Sequence, residues 1–198
     1  MCFMRRFRGL VALAAALVSA SGREAAGAEP IVVRIGTIAP EGTTWVRELR
    51  VAARAVEQRT GGAVRLKPYP GAVLGDEREM VRQMTLGRLE GAMLTTVGLE
   101  MAVPAMQVFH MPLLLDSFSE VDRAIETLRP MLAGEYARAG LVDAGTGPIG
   151  SVRVFSTAPA TRMADLDRMR IWAWVDDPVQ RQFFGILGQK TVPLSLPD

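Results

Sequence analysis

Between residues 29 and 198 the chain switches repeatedly between short β-branched runs and segments with an apolar residue every three or four positions. The switching predicts strands alternating with helices. Ile31-Val32-Val33-Arg34-Ile35-Gly36 has the character of a buried strand. After the loop Ala39-Pro40-Glu41-Gly42, Thr43 or Thr44 caps a helix whose Val46, Leu49, Ala53 and Val56 share one face. Gly61-Gly62 ends it, and residues 63–69 form a second strand. Asp76 caps a helix running to about Leu86, with Glu77 and Glu79 favourably placed in its first turn. Residues 90–96 predict a third strand, and the apolar stretch 103–115, broken by Pro104 and Pro112, a buried connector. Ser117 or Ser119 opens the longest helix, with Val121, Ala124, Ile125, Leu128 and Leu132 on one face. Pro130 predicts a kink or an early end there.

Beyond Gly140, residues 141–144 and 152–155 have strand character, residues 164–166 a short helical turn, and residues 169–175 a further strand. Asp176 or Asp177 caps a helix that starts at Pro178, Gly188 ends it, and residues 191–194 make the last strand. Ser195-Leu196-Pro197-Asp198 has the form of a helix start, so the sequence is expected to be the leading portion of a longer protein. The predicted class is α/β with mainly parallel sheets.

The first 28 residues follow another pattern. Arg5, Arg6 and Arg8 precede an uncharged apolar run from Gly9 to Ala20, and Ala26-Gly27-Ala28 supplies a small-x-small site. This is the layout of a signal peptide, and the run is shorter than the roughly 20 residues that span a bilayer. The expected location is therefore the periplasm. Residues 1–28 hold four of the 23 basic and one of the 21 acidic residues, which leaves residues 29–198 with 19 basic, 20 acidic and a net charge of −1. No basic face for nucleic acid is implied. The only cysteine, Cys2, lies in that leader, which suits an oxidising compartment.

Candidate chemistry is sparse. A single cysteine and a single histidine, His110, exclude thiolate-cluster and two-histidine metal sites, so no metal is expected. His110, between Phe109 and Met111, has the setting of a core or hinge residue. Asp165 and Asp167 flank a short turn and suit capping better than paired catalysis. Gly145-Thr146-Gly147-Pro148-Ile149-Gly150 matches G-x-G-x-x-G, but strand-like residues follow it where a nucleotide site needs a helix. No cofactor and no enzymatic activity are expected.

A binding-protein pattern remains. Leu74-Gly75-Asp76-Glu77-Arg78-Glu79-Met80, Leu86-Gly87-Arg88-Leu89-Glu90-Gly91-Ala92, Pro112-Leu113-Leu114, Ala164-Asp165-Leu166 and Gly188 with Val192-Pro193-Leu194-Ser195 occur in order and spacing that resemble the DctP family. These are periplasmic solute receptors of TRAP (tripartite ATP-independent periplasmic) transporters. The resemblance implies a periplasmic-binding-protein-like fold of two α/β lobes joined by hinge strands. Residues 29–143 would form the first lobe and 144–198 the start of a second, incomplete one. It further implies a small organic acid as ligand and a TRAP-type membrane permease as partner. Arginine is the family's expected anion ligand, since its planar fork pairs bidentately with a carboxylate. Aligning Asp165-Leu166 puts Trp172 at the signature arginine position, with Arg170 two residues before it, and matches Arg153 to a second family arginine. Trp172 and Trp174 alternate along one strand and predict an aromatic shelf beside Asp176 and the following helix N-terminus. Thr37, Glu77 and Thr95, at element ends, complete the expected ligand-binding set. The alternatives are an exported NAD-dependent enzyme using the Gly145–Gly150 turn and a solute-sensing receptor domain.

Overall fold

The computed structural model describes residues 29–195. The signal-peptide reading of residues 1–28 and the helix start over Leu196-Pro197-Asp198 lie outside them. Strand β1 (Ile31–Thr37) is flanked by β2 (Val64–Tyr69) and β3 (Gly91–Met93), both parallel to it, in the order β2-β1-β3. Helix α1 (Thr44–Arg59) carries the chain from β1 to β2, and α2 (Glu77–Thr85) carries it on to β3. The connection direction therefore reverses beside β1, and the C-terminal ends of β1 and β3 bound the crevice where open parallel sheets place ligands. A second parallel pair joins β4 (Ile171–Trp174) to β5 (Thr191–Leu194) through α6 (Pro178–Ile186).

Sequence chemistry sets these elements. Thr43 caps α1 by accepting from the Val46 amide at 3.5 Å, and Val46 is buried with Leu49, Ala53 and Val56 partly buried along one stripe, as their spacing predicts. Asp76 caps α2 by accepting from the Glu79 amide at 2.8 Å. Met80 on α2 packs so closely on β1 that a Cβ at Gly36 would lie 2.5 Å from its sulfur, which explains a glycine in that strand.

Several expectations are corrected. Only the C-terminal end of β1 is buried: β3 reaches no further back than Ile35, and Ile31 stays 65% exposed. The third strand stops at Met93, and Thr96–Ala102 forms a helix, α3, followed by a 3-10 helix over Pro104–Phe109. Val103 and Met106 from this stretch pack with Leu132 and Tyr136 of α4 (Phe118–Arg138) into a small core. Ser117 caps α4, which continues through Pro130. The proline sits on the exposed side, where water can satisfy the carbonyl that it frees. Residues 141–162 form neither helix nor strand. The strands expected at 141–144 and 152–155 lack a neighbouring ladder among the described residues, and Val152 and Phe155 are each 91% exposed. Apolar alternation makes a strand only when another backbone meets its N–H and C=O groups. The short helix α5 spans Met163–Leu166.

The glycine-rich turn lacks the helix that a dinucleotide site requires. Asp143 instead accepts from the Gly145 amide at 2.8 Å and the Thr146 hydroxyl at 3.1 Å, placing a carboxylate where a pyrophosphate would need bare amides. No helix among the described residues is long and apolar enough to cross a membrane.

Met80 has no solvent exposure, whereas Met131 on α4 is exposed. Met80→Ala is expected to cost about 2–5 kcal/mol in urea unfolding and Met131→Ala less than about 0.5 kcal/mol.

Candidate functional site

The ends of β1 and β3 are closed by polar side chains that serve the backbone. Thr37 is buried; its hydroxyl accepts from the Ala39 amide at 3.2 Å, and its carbonyl accepts from the Ala72 amide at 3.1 Å. Glu77 opens α2 and is fully buried. Its carboxylate accepts from the Thr95 amide at 2.6 Å, the Thr95 hydroxyl at 2.7 Å and the Gly98 amide at 2.9 Å. Thr95 holds the cap position of α3 without capping it through its own side chain, so Glu77 supplies that cap from a neighbouring helix. Burial pushes the Glu77 carboxyl up, against the opposing effect of its three donors. A Cβ at Gly98 would fall 2.7 Å from the carboxylate, so the helix approaches Glu77 this closely only with glycine there.

The second sheet meets this assembly at Asp176 and Asp177. Asp177 caps α6, accepting from the Gln180 amide at 2.7 Å, and the Gln180 side chain accepts from the Trp174 amide at 2.9 Å. Asp176 is buried and accepts from Arg78 Nε at 2.7 Å and Nη2 at 2.6 Å. Arg78 follows Glu77 on α2, so one helix turn reaches both sheets. His110, closing the 3-10 helix, lies with Nδ1 3.2 Å from Glu100 on α3 and Nε2 3.0 Å from Asp177.

A cleft of about 380 Å³ opens at this junction. Arg78 and Asp176 border it with Glu100, Met101, Gln107 and Arg181. Arg181 also donates to the Val175 carbonyl. The border thus combines two guanidinium groups and two carboxylates with an apolar wall, an arrangement that can orient a small polar molecule.

Of the expected ligand-binding set, Asp176 lines this cleft. Glu77 and Thr95 are brought together, and Thr37 sits at the neighbouring strand end. The two tryptophans do not form an open shelf. Trp172 is 43% exposed, but Trp174 is buried at 6%, against the side of α6, with its indole N–H unpartnered among the described residues. Arg153 lies on the exposed irregular segment, without a hydrogen bond or ion pair among the described residues. Neither Arg153 nor Trp172 borders the cleft. Sequence reasoning missed Arg78, Glu100 and Arg181 as cleft residues. Arg78 and Arg181 carried a usable signal, each standing in the first turns of a helix capped by aspartate; Glu100 carried none, because α3 is short and holds a glycine.

Residues 35–197 match the family model described as bacterial extracellular solute-binding protein, family 7, DctP. The chain belongs to this family. It is 26% identical over 95 residues to the sialic acid-binding periplasmic protein SiaP of Vibrio cholerae, a match covering 48% of this chain and 30% of SiaP. The fold is also that of solved TRAP periplasmic solute-binding proteins. The one from Xanthobacter autotrophicus, with bound β-D-galacturonate, aligns at TM-score 0.76 and 21% identity over 82% of this chain and 55% of that one. The one from Citrobacter koseri, with bound D-glucuronate, aligns at TM-score 0.75 and 21% identity over 83% and 56%. This DctP-family chain thus spans little more than half the length of these structures.

Glu77→Gln would turn an amide donor toward the Thr95 and Gly98 N–H groups. It is expected to lower unfolding stability by about 1–3 kcal/mol and to speed amide exchange in α3 more than in α4.

Proposed function

We propose that the protein is an exported solute receptor that binds a small organic acid of the sugar-acid class and delivers it to a TRAP-type permease without transforming it. The observation that carries this reading is the cleft bordered by Arg78 and Arg181 where α2, α3 and the 3-10 helix face the start of α6, in a chain of a solute-binding family. The exposed guanidinium of Arg78 can donate to a ligand carboxylate while still held by Asp176. The galacturonate and glucuronate bound by the two structural neighbours each carry a carboxylate on a hydroxylated ring, which supports this ligand class.

The expected residues take graded parts in this proposal. Arg153 has a free guanidinium for a second carboxylate contact once the segment that carries it folds over the ligand. Trp172, half-exposed but outside the cleft border, would meet the apolar face of a sugar only after the same closure. Asp176 orients Arg78, Glu77 and Thr95 hold α3, whose Glu100 and Met101 border the cleft, and Thr37 and Trp174 lie outside that border. Burial of the ligand with a few oriented polar contacts would supply the affinity. Residues 1–28 would direct export, and residues 29–143 and 144–198 would belong to successive lobes.

Titration calorimetry with D-galacturonate, D-glucuronate and, as neutral control, D-galactose tests this reading. The acids are expected to bind and galactose is not. Arg78→Ala and Arg153→Ala should each weaken binding of the acids by roughly 10- to 100-fold. Equal binding of galactose, or conversion of an acid to product, would overturn it.

A further inference from the structure

Both ring nitrogens of His110 face carboxylate oxygens, Nδ1 that of Glu100 at 3.2 Å and Nε2 that of Asp177 at 3.0 Å. A neutral imidazole carries one N–H, so one of these contacts would set a nitrogen lone pair against a carboxylate. Only the imidazolium donates to both. All three side chains are largely shielded, at 17%, 9% and 7% exposure, so water does little to relieve a mismatch. The partners also come from separate parts of the fold. Glu100 stands on α3, which Glu77 caps, whereas Asp177 caps α6 between the strands of the second sheet. We infer that His110 is a proton-operated latch, which as imidazolium ties the 3-10 helix and α3 to the N-terminus of α6 and releases them when its proton leaves.

The other charged groups at this junction are Arg78, paired with Asp176, and Arg181, which borders the same cleft. Both guanidinium groups keep their charge across the neutral range, so they do not track the proton. The hydrogen bond to Asp177, with help from Glu100, raises the imidazole pKa above its ordinary value, against the lowering effect of burial. The sign follows: the latch stabilises the junction fully below the unfolded-state value of about 6.5, and that contribution disappears as pH rises through the higher folded-state value. Because Glu100 and Asp176 border the cleft, release of the latch loosens its wall. The inference holds whichever solute the cleft takes.

The chain contains one histidine, so its imidazole ¹⁵N signals are assigned without ambiguity. At about pH 6 both ring nitrogens are expected to be protonated, with a titration midpoint above about 6.5. Glu100→Gln should lower that midpoint. Spin labels at the exposed positions Gln58→Cys and Gln182→Cys, in a chain with Cys2→Ser, then report the separation of α1 and α6. The distance is expected to lengthen or broaden by a few Å between about pH 6 and about pH 9, and His110→Gln should abolish that response. A midpoint at or below the ordinary value, a midpoint indifferent to Glu100→Gln, or the same distance change in His110→Gln would overturn the latch.

Discussion

A parallel strand that feeds a helix delivers the helix's first amide groups, which have no intrahelical partner, to the C-terminal edge of the sheet. The organisation of this molecule follows from how those amides are satisfied. Asp76 and Asp177 cap their own helices, while Glu77 reaches across to cap α3. Carboxylates are thereby concentrated around the starts of α2, α3 and α6, and a buried carboxylate calls for hydrogen-bond donors or a cationic partner. Arg78 answers Asp176, and His110 lies between Glu100 and Asp177. The cleft is bordered by Arg78, Glu100, Asp176 and Arg181, neighbours in sequence or space of the capping residues rather than the caps themselves.

Asymmetric exposure decides what these pairs contribute. Arg78 is 65% exposed, so its attraction to Asp176 is screened and adds only about 0–1 kcal/mol. Asp176 is buried, so loss of Arg78 leaves a carboxylate without its partner, which costs more than the pair contributes. In the proposed reading, a ligand carboxylate arriving at Arg78 would meet a cation already oriented by a buried anion. Preorganisation of this kind favours binding because less side-chain freedom is lost on contact.

Much of this was legible in the sequence because caps and faces are local. Thr43, Asp76, Ser117 and Asp177 are short polar side chains placed before periodic apolar runs, and each caps the helix it precedes. The face of α1 falls on its predicted stripe, as do Ile125 and Leu132 of α4, whose third buried residue, Tyr136, lies beyond the predicted set. Residues 152–155 failed for the opposite reason: strand formation depends on a partner that no property of the segment itself encodes. α3 was hidden because seven residues with a central glycine carry too little periodicity, and its stabilising cap sits about twenty positions earlier, at Glu77. The tryptophan pair shows a related gap. Alternation places Trp172 and Trp174 on one side of β4, but packing against α6 covers only the second. Family membership was readable from the order and spacing of weak motifs; the cleft was not, because Arg78 and Arg181 meet only through tertiary structure.

The central claim is that the junction of the two sheets holds a carboxylate-bearing solute. NMR of the arginine Nε–H and tryptophan indole N–H groups during addition of D-galacturonate measures this directly. The account predicts saturable shifts of Arg78, Arg181 and Trp172, with little change on adding D-galactose. Shifts confined to groups remote from the junction, or identical responses to the acid and the neutral sugar, would contradict it.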